Sequence, residues 1–468
     1  MVFSSLIFIF IFLPLTTLIY YISPKVFRNS VLLVSSLIFY GWGEPVYIVL
    51  MILSTLFSYV TGLFIDKFRN CKRISLAVFI LSVVVNLGIL SFFKYYGFFI
   101  HNINSLLNLN ISIKKLPLPV GISFYTFQTM SYIIDIYLGK VSVQKNIISF
   151  ATYITMFPQL VAGPIVKYGD IEKQLNNRKE NLSLFGEGVE LFIIGLSKKV
   201  LLANNIGILW SNIKSTPIGE LSILSAWIGI IGFTFQIYFD FSGYSDMAMG
   251  LGKIFGFDLM KNFNYPYISK SVTEFWRRWH ISLGSWFREY VYIPLGGNKN
   301  GKLKQYRNLF IVWFLTGFWH GANWNFIFWG LYFGFLVTIE KIFLLKWLES
   351  KPKFIGHIYT MFIVIIGWVL FEFENMTQCI SFIKIMLGFG KVSLLNSTSI
   401  YYIYTNALLL IILILCSTPL PRKVFLNIQN KFKFVGAIIM PLIYLLLIFL
   451  STAYLVNETY NPFLYFKF

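Results

Sequence analysis

The chain has 468 residues, of which 57% are hydrophobic, 19% aromatic and only 12% charged, and its mean hydropathy is +0.70. A soluble domain of this size needs far more charge to cover its surface, so the composition excludes an ordinary soluble protein. Lys and Arg outnumber Asp and Glu by 39 to 19. These basic residues cluster between apolar runs, where membrane topology and anionic lipid explain them and no nucleic-acid partner is needed. The sequence predicts a multi-pass membrane protein without a separate soluble domain.

Apolar runs near the roughly 20 residues that a bilayer core requires recur along the whole chain. The first run lacks a basic start and a small-residue cleavage site, so it is expected to be a retained span and not a signal peptide. Shorter or polar-interrupted runs lie between the clear ones. The clear candidate spans are residues 2–22, 46–65, 75–93, 222–239, 309–337, 354–371, 401–418 and 435–455.

Two basic clusters set the predicted orientation. Lys25 and Arg28 follow the first span, and the sequence DKFRNCKR at 66–73 follows a later one. Both clusters lie on one side only if residues 30–42 also cross the membrane. Because positive loops are retained in the cytoplasm, we expect these loops inside and the N-terminus outside.

Three stretches place breaks or charges in an apolar context. LPLPVGISFYTFQTMSY (116–132) and FPQLVAGPI (157–165) contain prolines and glycines that break a span, which membrane depth tolerates only beside protein or a watery cavity. FQIYFDFSGYSDMAMG (235–250) carries Asp240 and Asp246 among aromatic residues. Buried carboxylates need a cation or several donors, so we expect both to pair with arginines of the segment that follows.

That segment, Val272 to Asn308, has the pattern of a helix lying in the membrane interface. Its aromatic apolar residues follow one helical face and its charged residues gather towards the other. Pro294 and the Gly296–Gly297 pair are expected to end it. The apolar face contains Trp276, Leu283, Phe287 and Tyr290, and the polar face contains Glu274, Arg277, Arg278, Arg288 and Glu289. The basic loop at 299–307 that follows places this element on the cytoplasmic side.

The next apolar run, 309–339, contains no Lys, Arg, Asp or Glu and a single histidine, His320. A continuous helix from Leu309 would place His320 ~16 Å along the axis, near the middle of a ~30 Å hydrocarbon core. Gly317 and Gly321 flank it and Asn323 follows, so a close approach or a helix break beside a polar cavity is expected. An ionisable residue at this depth in a membrane indicates a functional site. The alternative is a neutral histidine that hydrogen-bonds between helices as packing glue.

The residues alone predict a membrane bundle with broken helices around a polar cavity, a description that a transporter also satisfies. The histidine has no second His, Cys or acid at ligand spacing nearby, and the three cysteines are scattered, so no metal site is expected.

The sequences EFWRRWHISLGSWFREYVYIPLGG and RNLFIVWFLTGFWHGANWNFIFWGLY strongly resemble the membrane-bound O-acyltransferase (MBOAT) family, in its alginate O-acetyltransferase branch. The stretches LIFYGWGEP, FPQLVAGPI, YFDFSGYSDMA and the terminal YNPFLYFKF resemble the same branch, in the same order. The resemblance implies one all-α membrane domain over 1–468, with 272–337 as its catalytic core. It also implies roughly 11 transmembrane helices, some broken or re-entrant, around a central cavity.

The family transfers an acyl group from a thioester, usually acyl-coenzyme A, to a hydroxyl. His320 matches its near-invariant catalytic histidine, and His280 matches a second polar position. A neutral imidazole can take the hydroxyl proton, and whether it is instead transiently acylated stays open. Asn323 or a freed backbone N–H would stabilise the oxyanion, with Trp319, Asp240 and Asp246 in support. Four basic residues could bind the coenzyme A phosphates: Arg277, Arg278, Lys299 and Arg307. Membrane topology explains the positive charge of these residues equally well.

The resemblance implies acetylation of an exported cell-surface polysaccharide from the bacterial plasma membrane, completed by a separate extracytoplasmic acyltransferase. Acetyl-coenzyme A is then a donor substrate and no bound cofactor is expected. Two alternatives stay open, a teichoic-acid D-alanylating member of the same family and a transporter or flippase with His320 as a proton relay. One departure is GWVLFEFEN (367–375), which has Glu372 and Glu374 where the family often carries Arg.

Overall fold

The computed structural model describes residues 1–114, 116–161, 163–432, 434–457 and 463–464. All regular secondary structure in these ranges is helical, which confirms the predicted all-α class. Several helices continue through wider π-helical turns, including Lys198–Asn204, Arg288–Tyr292 and Glu340–Leu344. The α-helices are α1 (Leu13–Ile22), α2 (Arg28–Gly43), α3 (Tyr47–Lys67), α4 (Lys72–Leu107), α5 (Ile122–Tyr137), α6 (Ile147–Thr155), α7 (Phe157–Leu160), α8 (Tyr168–Asn176), α9 (Leu182–Ser197), α10 (Asn205–Ser215), α11 (Ile223–Ile254), α12 (Val272–Arg278), α13 (Ile281–Phe287), α14 (Lys302–His320), α15 (Trp324–Ile339), α16 (Leu345–Glu349), α17 (Lys353–Glu372), α18 (Met376–Met386), α19 (Ser397–Cys416), α20 (Leu420–Lys431) and α21 (Met440–Asn457).

Eight helical segments in the described ranges are long and apolar enough to cross a membrane, and two shorter apolar helices accompany them. The most apolar window of α19 is only 11% buried by the rest of the protein, so its remaining surface requires lipid. These helices confirm the predicted multi-pass membrane protein. The eight segments are Tyr47–Lys67, Lys72–Leu107, Leu182–Ser215, Ile223–Ile254, Trp324–Glu349, Lys353–Glu372, Ser397–Cys416 and Met440–Asn457.

The chain divides into two compact units, and the prediction of a single domain over 1–468 stays a prediction. The first unit contains Met1–Phe192 and Tyr244–Met260, and the second contains Ile193–Gly243 and Lys261–Phe468. In the first unit α2 packs on α6, and α3, α4 and α5 pack on one another. A hydrogen bond joins the two chain segments of this unit: the Tyr20 hydroxyl donates to the Phe255 carbonyl at 2.9 Å.

Both predicted breaks in the first unit are confirmed. Helix α6 ends at Thr155, and α7 is a separate four-residue helix whose Phe157 N–H donates to the Ser36 hydroxyl at 3.0 Å. Helix α5 begins only after Gly121, which has a φ of +76°. A side chain there would also lie 2.6 Å from the Leu160 carbonyl oxygen, so only glycine fits this turn.

In the second unit α14 and α15 form an antiparallel pair. Helix α14 ends at His320, Gly321 is extended, and α15 begins at Trp324. The two helices cross at Gly317 and Gly330, where an added Cβ on Gly317 would lie 2.3 Å from the Phe326 carbonyl oxygen. The predicted break at the glycines is confirmed. The expectation that 309–337 is one span is wrong, because the chain reverses direction after His320.

The expectation of one continuous interfacial helix after Val272 is also wrong. Helix α12 ends at Arg278 and α13 begins at Ile281, with His280 between them at a φ of +45°. Asn262 stabilises this break, because its carbonyl accepts the Ile281 N–H at 3.0 Å and its Oδ1 accepts the Ser282 N–H at 3.1 Å. Trp276 and Leu283 therefore do not share one helical face.

The predicted end of this element, at the paired glycines, is confirmed. Gly296 and Gly297 have φ values of +99° and +55°. The fully buried Asn308 donates through Nδ2 to the Leu295 and Gly297 carbonyls, at 3.1 and 3.0 Å. These bonds hold the glycine turn against the start of α14.

Candidate functional site

His320 lies at the reversal between α14 and α15 and is only 5% exposed. Its ring contacts Trp329 edge-on, with centroids 4.9 Å apart, and Phe371 with centroids 5.4 Å apart. Trp329 stands on α15 and Phe371 near the end of α17, so three helices fix this imidazole.

His280 belongs to the same aromatic cluster as His320. The Trp319 ring lies 5.1 Å from the His320 ring and 6.2 Å from the His280 ring. On its other side His280 packs edge-on against Phe241, with centroids 4.8 Å apart. Burial lowers the pKa of His280 to about 3, so this imidazole is neutral at pH 7. The structure thus brings together three predicted site residues, although their chemical roles stay predictions.

Asn323 shapes the reversal beside His320. It is the N-cap of α15, and its side-chain Oδ1 accepts the Trp324 N–H at 2.7 Å. Its carboxamide oxygen is thereby engaged, which leaves the amide N–H₂ as the group able to face a substrate. The predicted oxyanion role of Asn323 stays a prediction.

Two polar residues near His320 were missed by the sequence reasoning. Asn325 is fully buried and donates through Nδ2 to the Phe371 carbonyl at 3.0 Å, which ties α15 to the end of α17. Its Oδ1 and the Trp329 indole N–H have no hydrogen-bond partner within the described residues. Buried polar groups without partners are rare and mark sites that a ligand or water completes. The available signal was their i, i+4 spacing, which places both on one face of α15.

Asp240 pairs with a lysine, and the expectation that it pairs with an arginine after Val272 is wrong. Its Oδ1 lies 2.5 Å from the Lys199 Nζ, and both side chains are almost fully buried. Its Oδ2 accepts the Leu464 N–H at 2.8 Å. Gly243 allows this pairing, because a Cβ there would lie 2.7 Å from the Gly195 carbonyl, so α11 approaches the segment before Lys199 closely. Asp246 is half-buried in the first unit, and its predicted partner stays a prediction.

The predicted donor-binding residues differ in availability. Arg277, Lys299 and Arg307 are exposed. Arg278 is engaged, because its guanidinium lies 2.9 Å from Glu274 Oε1. Within the described part of the chain, no three His, Cys, Asp or Glu side chains are grouped so as to hold a metal ion.

Of the two acids that depart from the family pattern, Glu372 forms an ion pair with a nearby lysine. Glu372 ends α17, and its Oε1 lies 2.6 Å from the Lys214 Nζ and accepts the Trp210 indole N–H at 3.2 Å. Because Phe371 precedes it and packs on His320, this ion pair fixes the end of α17 beside the site.

Comparisons with known proteins agree with this arrangement. The family model for membrane-bound O-acyltransferases matches residues 140–383, a range that contains both histidines of the cluster. The chain is 37% identical to a probable alginate O-acetylase of Pseudomonas putida over the whole of both proteins. It is 35% identical to a peptidoglycan O-acetyltransferase of Helicobacter pylori, over 84% of this chain and 81% of that protein. A teichoic acid D-alanyltransferase of Bacillus subtilis is 30% identical over 54% of this chain and 68% of its own.

Proposed function

Because the chain belongs to the membrane-bound O-acyltransferase family and is an acyltransferase of a bacterial membrane, we propose that it moves an acetyl group from acetyl-coenzyme A across the membrane for O-acetylation of an exported polysaccharide. The observation that carries this proposal is the buried His320 at the helix reversal, with His280 one tryptophan ring away. An acetyl donor is favoured over D-alanine because the O-acetylase relative matches the whole chain and the D-alanyltransferase only about half.

In the proposed reaction His320 takes the proton of the acceptor hydroxyl as its oxygen attacks the thioester carbonyl carbon. A carbon–oxygen bond forms, the carbon–sulfur bond breaks, and the departing thiolate recovers the proton from the imidazolium. The Asn323 amide and the Trp329 indole N–H, which has no partner within the described residues, donate to the oxyanion that forms between these steps. Trp319 and Phe371 restrict the rotation of the imidazole and exclude water.

His280 acts in this proposal as a second polar group of the aromatic cluster, packed against Trp319. Its neutral form can donate or accept one hydrogen bond to substrate without introducing charge. The exposed Arg277, Lys299 and Arg307 attract the coenzyme A phosphates on the cytoplasmic side. An extracytoplasmic acyltransferase receives the acetyl group and completes its transfer to the polymer.

The test is acetyl-coenzyme A turnover by the purified protein and three histidine variants. His320→Ala should reduce turnover on the order of a hundredfold or more, with the melting temperature nearly unchanged. His280→Ala should weaken turnover with some loss of stability, because its break is held by buried contacts. His101→Ala, at an exposed histidine, is the matched control and should behave like the wild type. Intact thioester in the wild-type reaction would favour a transporter and overturn the proposal.

The partner is tested in cells by deleting the extracytoplasmic acyltransferase. Polymer acetylation should disappear while this protein still inserts at its normal level. Full acetylation without any partner would show that this chain completes the reaction alone.

A further inference from the structure

A cavity of about 260 Å³ lies where α16 and α17 meet the start of α12 and the two residues before it. The buried Ser271 and Leu348 are among its lining residues, and three lysines line it too. These lysines, Lys270, Lys351 and Lys353, are all exposed. Gly356 brings its sides together, because a Cβ there would lie 2.5 Å from the Lys270 carbonyl oxygen. This volume is below the roughly 300–1,000 Å³ of pockets for drug-sized ligands, so it suits a small group such as part of a lipid headgroup.

The charged side chains that line the cavity sum to a positive charge. Three lysines and two glutamates, Glu274 and Glu349, line it, which gives a formal charge of +1. Glu274 is already engaged, because it accepts the Lys270 N–H at 2.9 Å and pairs with Arg278. Including Arg278 raises the local sum to +2. An anion is therefore the ligand that this cavity favours.

The surroundings of the cavity indicate a lipid. It lies between two candidate spans, Trp324–Glu349 and Lys353–Glu372, at the turn that joins them. Large apolar side chains on these helices are exposed and flank the lysines. They are Phe343, Trp347, Phe354 and Ile358, exposed by 49 to 63%. Lysines above a band of aromatic and aliphatic side chains at the end of a span are typical of the headgroup region of a bilayer.

We propose that this cavity binds the phosphate of an anionic phospholipid headgroup, with the acyl chains lying along the exposed faces of α15 to α17. Lys270 and Ser271 immediately precede α12, and Ser271 caps that helix by accepting the Glu274 N–H at 3.0 Å. Glu340 accepts the next two amides, of Val272 and Thr273, at 2.6 and 2.8 Å. A bound headgroup therefore stabilises the same helix start that Glu340 holds, and the lipid supports the element that leads to His280.

The experiment measures competition between phosphatidylglycerol and phosphatidylcholine for the purified protein by native mass spectrometry. A lysine near an anionic lipid surface contributes about 1 kcal/mol, or roughly fivefold in affinity. The variant Lys270→Gln/Lys351→Gln/Lys353→Gln should therefore lose the phosphatidylglycerol preference on the order of a hundredfold. The matched control Lys67→Gln/Lys72→Gln/Arg73→Gln removes the same charge from another exposed loop and should keep the preference.

A second variant keeps the test decisive if the triple variant is unstable. Glu349→Gln removes an acid from the rim and should raise phosphatidylglycerol binding about fivefold. Equal losses in the pocket and control variants would show a general effect of charge and overturn the proposal. Inorganic pyrophosphate serves as the soluble probe. If it displaces bound phosphatidylglycerol at a similar concentration, the ligand of the cavity is a soluble phosphate and the proposal of a lipid ligand is overturned.

Discussion

Replacing Gly330 by alanine should push α14 and α15 apart and slow acyl transfer more than it lowers stability. A Cβ at position 330 would lie 2.4 Å from the Trp313 carbonyl oxygen, whereas ordinary contact begins at 3.4 Å. The helices must therefore separate locally by about 1 Å. Overpacking of this kind costs about 1–3 kcal/mol, of which the better helix propensity of alanine offsets up to about 1 kcal/mol. Trp329 adjoins Gly330 and packs on His320, and a displacement of about 1 Å at a reacting group can cost on the order of a hundredfold in rate.

Gly88→Ala is the matched control, since Gly88 also lies inside a candidate span and an added Cβ there meets nothing within 4 Å. This variant should keep full turnover and gain up to about 1 kcal/mol in stability. The assay is acetyl-coenzyme A turnover with melting measured on the same samples. A Gly330→Ala protein with wild-type turnover and an unchanged melting temperature would refute the reasoning that the close crossing of α14 and α15 positions His320.

Three further predictions follow from named contacts. Because the pKa of His280 is about 3 in the folded protein and 6.5 ordinarily, the unfolded chain binds a proton that the fold excludes. The free energy of unfolding should therefore fall by about 1.4 kcal/mol for each pH unit as the pH is lowered from about 6.5 to 3. Denaturant unfolding across this range should show that His280→Asn lacks this contribution. Cys71 is exposed in the basic 67–73 loop. It should resist an impermeant maleimide in intact cells but react in inverted vesicles, and labelling in intact cells would contradict the predicted orientation. Lys199→Met should cost about 3–5 kcal/mol by leaving Asp240 buried without its partner, and Lys199→Met/Asp240→Asn should recover most of it; additive losses would show that the pair is not coupled.

The sequence predicted the positions of several breaks because glycine and proline signal them locally. Gly121, Gly321 and the Gly296–Gly297 pair all lie where the chain turns. The direction of the chain after His320 was not predictable in the same way, because a glycine-flanked break permits either a kinked crossing or a reversal. Packing decides between them, through the close contact of Gly317 with Gly330.

Long-range partners account for the other differences. No glycine or proline marks the break at His280. It is stabilised by the Ile281 and Ser282 N–H groups, which donate to Asn262, 18 residues before His280. Asp240 pairs with Lys199, 41 residues before it, and no local pattern announces that pairing. The nearby arginines were plausible partners by sequence distance, but Arg278 pairs within its own helix with Glu274, four residues away.

The reversal at His320 also reconciles the helix order with the charge pattern. Lys299, Lys302 and Lys304 precede or begin α14, and Lys346, Lys351 and Lys353 follow α15. A single crossing by 309–337 would place these two basic segments on opposite sides of the membrane, against the retention of positive loops in the cytoplasm. The antiparallel pair places both at one end and His320 at the other. In the proposed transfer from a cytoplasmic thioester to an exported hydroxyl, the basic end serves the anionic donor and the histidine end serves the acceptor, and this assignment stays part of the proposal.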